Sequence, residues 1–261
     1  MIGIIIALGA LMGGTVIEGG SPAAYLNISA IMIIFGGTFG ATIASYDMPT
    51  FMRFPKLFGL AIKARKSNAT ELRAKLVTFA ERARREGLLA LEGDVDQVDD
   101  PFVRRGLQMV IDGLEPDTVE EILELDVEAM QRRHSEGSAI FTSMGGYAPT
   151  MGVIGTVRGL VMVLSHLDVP AGLGGSIAVA FIATLIGVGS ANIVWLPIAQ
   201  ALKAKSTAEV AERRMAIVAI LAIQAGDNPR IVAQKLASFG VESGPKAEEP
   251  AAEATTPAEA A

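Results

Sequence analysis

The basic residues of this chain are sharply segregated. Of its 22 Lys and Arg, none falls in residues 1–47, 14 fall in 48–138, one in 139–202 and seven in 203–261. The two stretches without basic clusters are the apolar ones, which is the pattern of membrane spans separated by water-exposed segments. Composition agrees with this. Charged residues make up 19%, against roughly 25% in an average soluble domain. Aromatics are only 5%, so the apolar mass is aliphatic and glycine-rich, as in membrane helices that pack closely. The absence of cysteine excludes disulfides, thiolate metal ligands and cysteine nucleophiles. A net charge of −6 leaves no nucleic-acid footprint.

The pattern predicts an all-α integral membrane protein with four spans and a large helical cytoplasmic loop between spans two and three. Span one is residues 2–17, closed by Glu18-Gly19-Gly20-Ser21-Pro22. At 1.5 Å per residue it reaches about 24 Å, short of a roughly 30 Å hydrocarbon core. A cleaved signal peptide is the competing reading, but no basic n-region precedes Ile2. Span two is residues 28–45, with Asn27 as its N-cap. Its Gly36-Gly37-Thr38-Phe39-Gly40 run offers a small-residue surface for close helix approach. Spans three and four cover about 139–167 and 174–202 and exceed the roughly 20 residues that a bilayer requires. Both are therefore expected to project out of the membrane.

The basic residues place 48–138 and the segment after Leu202 in the cytoplasm, with both termini inside. The turns 18–27 and 166–173 then lie outside. The domain plan is 1–47 for spans one and two, 48–138 for the cytoplasmic loop and 139–202 for spans three and four. Residues 203–243 follow as C-terminal helices, and 244–261 as a disordered tail of Ala, Glu, Pro and Thr with few other residues. Within the loop, 70–91, 101–112 and 117–136 read as helices, broken at Gly113 and Pro116.

No P-loop, HExxH or GxSxG motif is present, so no catalytic residue and no metal or organic cofactor is expected. His134 and His166 fall on opposite sides of the membrane in this topology and read as solvated surface. Spans three and four instead carry Thr156, Thr184, Pro149, Pro197 and several glycines at membrane depth. Such oxygens can serve a hard cation or a water chain, or they can bond back to their own helix. Both readings stay open on spacing alone.

The run Ala148-Pro149-Thr150-Met151-Gly152-Val153-Ile154-Gly155-Thr156-Val157, followed by Gly159-Leu160, resembles the third span of the MotA/PomA flagellar stator subunits. Arg84-Arg85-Glu86-Gly87-Leu88-Leu89-Ala90-Leu91-Glu92 is similar to their cytoplasmic signature, and Ala222-Ile223-Gln224-Ala225-Gly226-Asp227-Asn228-Pro229-Arg230 to the segment after their fourth span. The three motifs occur in order, and the resemblance covers about residues 1–240. The related ExbB/TolQ transducers, which power outer-membrane or envelope processes, share only the Gly-Thr-Val-x-Gly core and are the alternative.

The resemblance implies a bacterial inner-membrane, multi-pass protein that assembles as a homopentamer around a MotB/PomB-like single-span subunit. It would pass Na⁺ or H⁺ and drive the rotor protein FliG. Pro149 and Pro197 match the family's two coupling prolines, although prolines in membrane helices also serve as passive bends. Thr156 and Thr184 match threonines of the ion path, and a hydroxyl at Thr156 favours Na⁺ over H⁺. Arg84, Arg85 and Glu92 match rotor contacts, with Arg84 and Glu92 expected about two turns apart on one helix face. A solvated charged face is the plain alternative. Arg158 departs from the family, which is usually apolar at that position. It stands about 200° around the helix from Thr156, directed away from the pore towards a neighbouring subunit or the outer surface. Glu18 and Asp168 are its expected partners.

Overall fold

In the computed structural model, the structure describes residues 2–63, 69–96, 98–165 and 173–239, and no strand occurs among them. The tail 244–261, His166 and Asp168 lie outside the described residues. Eight helices of nine residues or more organise the described residues. They are α1 (Ile2–Ile17), α2 (Ile28–Ser45), α3 (Phe54–Ile62), α4 (Ala69–Glu86), α5 (Pro101–Ile111), α6 (Pro116–Leu164), α7 (Leu173–Gln224) and α8 (Pro229–Ala237). Starts follow local chemistry. Asn27 Oδ1 accepts the Ala30 N–H at 3.0 Å, and Asp100 Oδ1 accepts the Phe102 N–H at 2.9 Å. Pro101, Pro116 and Pro229 open helices, where a missing N–H costs nothing.

Three helices, α2, α6 and α7, are long and apolar enough to cross a membrane, and α1 is apolar but only 16 residues long. The largest difference from the sequence reading is continuity. The helix expected over 117–136 and span three are one 49-residue helix, about 74 Å long, and α7 runs unbroken for 52 residues, about 78 Å. Nothing at 137–139 stops the backbone. Gly137 is buried against Leu57, and Ser138 turns its hydroxyl back onto the Ser135 carbonyl at 3.0 Å. By contrast, the helix expected over 70–91 ends at Glu86. Gly87 has φ +88°, a left-handed conformation that suits glycine, and a tight 3₁₀ turn over Leu88–Leu91 follows.

α6 and α7 pass through two separate cores. At the base, the lower ends of both helices join α4, α5 and α8 around Leu76, Leu107, Leu123, Ile220 and Leu236, all almost fully buried. Higher up, Phe141, Ala148 and Trp195 pack with Phe35, Phe39, Phe51, Phe54 and Phe58. Six of the ten phenylalanines and the single tryptophan thus form one aromatic collar. Edge-on contacts such as Phe39 to Trp195 at 6.0 Å between ring centres give it a directional geometry.

α3 is clamped beneath this collar. Lys205, on α7, donates to the Ala61 and Lys63 carbonyls at 2.9 and 2.6 Å, placing a cation at the α3 C-terminus.

Candidate functional site

The upper halves of α6 and α7 meet along a seam of small residues. Gly152, Gly155 and Gly159 on α6 face Ala180, Ala183 and Gly187 on α7. A methyl added at Gly187 would lie 2.6 Å from the Ala148 carbonyl oxygen and 2.9 Å from Gly152 Cα, both backbone. At Gly159 it would lie 2.6 Å from Ala180 Cβ. Only glycine permits this approach. The Gly36 and Gly40 surface of α2 is open within this chain: a methyl at either would meet nothing within 4 Å. In that stretch only Gly37 is tight, against the Met151 thioether.

The seam decides where the threonines go. With the backbones this close, Thr156 and Thr184 hydrogen-bond to each other across it. Thr156 Oγ1 also stands 3.0 Å from the Ala180 carbonyl and 3.1 Å from the Gly152 carbonyl. Its single proton can go to either carbonyl while the Thr184 hydroxyl donates to it. Four oxygens therefore converge on one half-buried spot between two otherwise apolar helices. The bond back to its own helix is present, and Thr156 also reaches across to the other helix. Among the described residues no group of three or more His, Asp or Glu could hold a metal ion.

The two prolines differ in their settings. Pro149 lies inside α6, and Ala148 beside it is fully buried in the collar. Pro197 directly follows a π-turn over Ala191–Trp195. A wider turn before a proline relieves the clash between its ring and the carbonyl four residues back. A second π-turn, Met32–Gly36 on α2, lies at the same level, and its Phe35 ring is 6.3 Å from Trp195. Pro197 also lines a cavity of about 280 Å³ with Gly3, Ile4, Ala7 and Asn192, which leaves space between α1 and α7.

Arg158 is exposed, and its Nη1 donates to Ser29 Oγ at the start of α2, 3.1 Å away. This corrects the expected pairing with Glu18. The arginine finds a neutral hydroxyl because Ser29 lies across the packed α2–α6 face, and the other expected partner, Asp168, lies outside the described residues. His134 is also not plain solvated surface. It is half-buried, with Nδ1 3.1 Å from Ser206 Oγ on α7.

At the base, Arg84 and Arg85 end α4, while Glu92 begins a separate helical turn, Glu92–Val95, after the Gly87 corner. They do not share one helix face, because the positive φ of Gly87 redirects the chain. All three are exposed and make no ion pair among the described residues. Their neighbours hold the corner instead. Arg82 pairs with Asp94 and, at 3.2 Å, with Glu86. The hydrogen bond to Asp94, then that to Glu86, holds the Arg82 guanidinium above its usual range. No sequence motif marks this pair; only the turn shows that positions 82 and 94 meet.

Two long helices, joined along a seam of small residues in their apolar halves and parted around a second core at their other ends, define a class of helical membrane proteins. Comparisons with known proteins then specify which. Residues 94–215 match the MotA/TolQ/ExbB proton channel family, and residues 1–87 match the motility protein A N-terminal family. Motility protein A of Bacillus subtilis is 42% identical over 92% of this chain and 89% of its own length. Chemotaxis protein PomA of Vibrio alginolyticus is 34% identical, over 85% and 87%. Among solved structures, C. jejuni MotAB superposes with a TM-score of 0.89 at 30% identity, covering 94% of this chain and 96% of that one. The flagellar MotAB stator complex of Bacillus subtilis gives 0.85 at 42% identity, covering 90% and 92%. The chain belongs to the MotA family of flagellar stator subunits, within the MotA/TolQ/ExbB proton channel family. It is a motor subunit and not an enzyme. The match over residues 1–87 accounts for the region that the transducer alternative leaves unexplained.

Proposed function

We propose that this subunit conducts Na⁺ across the bacterial inner membrane and turns that flow into torque through α6 and α7. The observation that carries the reading is their continuity. The same two helices hold the Thr156–Thr184 oxygens near one end and the charged cytoplasmic base at the other. In this reading α1, though short, completes a four-span topology with both termini in the cytoplasm. Residues 48–138 and 203–243 form the part that faces the rotor. Thr156 and Thr184 line the ion path, and their two hydroxyls with the Ala180 and Gly152 carbonyls suit a hard cation stripped of part of its water. Pro149 and Pro197 are the coupling points. Arg84, Arg85 and Glu92 meet the rotor protein FliG as unpaired charges, whose exposure fits a contact that forms and breaks rapidly.

The partners are a MotB-like single-span subunit and further copies of this chain in a pentamer. Support comes from the bare upper surface. Val153, Ile154, Val157, Val161 and Phe181 are each more than half exposed, so lipid and other helices must cover α6 and α7. The known MotAB structures, which contain a MotB chain by name, agree with such a partner.

Swimming speed against external Na⁺ at fixed pH tests the ion. Speed should rise with Na⁺ and saturate, and Thr156→Ala should raise the Na⁺ concentration needed. A speed indifferent to Na⁺ but abolished by a protonophore would overturn the sodium assignment and leave a proton. A deletion strain that keeps normal motility would overturn the stator role itself.

A further inference from the structure

Just below the end of the apolar stretches, α6 and α7 part around a cavity of about 450 Å³. Its charged lining is cationic: Lys203 and Arg214 from α7, joined by the titratable His134 from α6, with no Asp or Glu among the lining residues. Three hydroxyls on this wall are engaged within the chain: Ser138 donates to the Ser135 carbonyl, Thr207 to the Lys203 carbonyl, and Ser206 pairs with His134 Nδ1. The Lys203 ammonium has no hydrogen-bond or ion-pair partner among the described residues. Arg214 makes only a loose contact with Glu124, 3.7 Å from Nε, so most of its five N–H donors are uncommitted. Two cations, with no carboxylate on the wall, disfavour a cation as occupant. They suit a phosphate, which takes charge from Lys and paired donors from Arg.

We infer that this cavity is a phosphate-binding site, filled by the headgroup of an anionic phospholipid of the inner leaflet. Height supports the lipid source. Lys203 follows directly on Leu202, where the buried apolar residues of the upper core end, so the upper mouth of the cavity lies at headgroup depth, where basic residues attract anionic lipid. That placement rests on the topology proposed above; the chemistry of the lining does not. The site would bind the two levers to one lipid at the point where they leave the membrane.

The test uses the full chain with its single-span partner, purified in detergent, with thermal unfolding as the readout. Short-chain phosphatidylglycerol should raise the midpoint saturably, while phosphatidylcholine with the same chains should not. Lys203→Gln with Arg214→Gln should weaken the phosphatidylglycerol effect at least tenfold, and Lys203→Arg should retain it. Inorganic phosphate should compete in the unaltered protein, which keeps the test informative if the double variant fails to fold. A saturable shift from inorganic phosphate equal to that from the lipid would keep the phosphate site and assign it to a soluble source. Equal response to both lipids, or no competition by phosphate, would overturn the site. None of these readings depends on which ion is conducted or on rotor contact, so failure here is separate from failure of the stator reading.

Discussion

α6 and α7 are held together in two unlike ways along their length. At the top the contact is backbone against backbone, with glycines and alanines and almost no side chain between. At the base the same helices are set apart by Val119, Leu123, Val127, Ile217 and Ile220, and α4, α5 and α8 pack around them. The upper contact buries little apolar area and fixes geometry. The lower one buries much and supplies stability, at roughly 25 cal/mol per Å² of apolar surface. A fault at the top should therefore be abrupt, and a fault at the base graded.

The strongest challenge to this contrast is Gly187→Val. Its side chain would meet the Ala148 carbonyl and the Gly152 backbone, which cannot move aside as a flexible side chain could. Swimming should be lost completely while the protein still reaches the membrane, as scored by immunoblot of the membrane fraction; normal swimming would show that the seam yields. Pro197→Leu and Pro149→Ala come next. Each should abolish swimming yet leave thermal unfolding of the solubilised complex nearly unchanged, and motility retained in either would remove that proline from the coupling role. At the base, Leu107→Ala should cost about 2–5 kcal/mol, as for other fully buried leucines. It should lower the unfolding midpoint and reduce motility without abolishing it. Arg84→Glu should do least. It should lower torque at high load in a tethered-cell assay with no change in the unfolding midpoint, and partial rescue is expected from a reversed charge on the rotor protein.

The same contrast explains what could be read from the sequence. The helices Ile2–Ile17 and Ile28–Ser45 were legible because Gly, Ser, Pro and the Asn27 cap punctuate their ends. The join between the charged helix and span three was not, because the change of composition near 137–139 looks like a boundary while the backbone has no reason to break there. Thr156 and Thr184 were legible as residues, but their meeting depends on a seam between segments 28 positions apart. The recurrence of glycines in spans three and four was legible, but which of them face which residue across the seam was not, because that depends on how the two helices cross. Lys205 and the Arg82–Asp94 pair were not legible at all, because a side chain that caps a distant helix or pins a corner leaves no local pattern.

The unbroken length of α6 sets a stroke. Pro149 stands 33 residues above Pro116, about 50 Å along a continuous helix. If the helix turns as a rod about that point, a swing of about 10° carries its lower end through roughly 9 Å, wider than the separation of two packed side chains. If Thr156 lines the ion path as proposed, a displacement there of the order of one hydroxyl reaches the base as a far larger step. A break at Gly137 would cancel that gain, and the helix runs through Gly137 without interruption, with Leu57 packed against it.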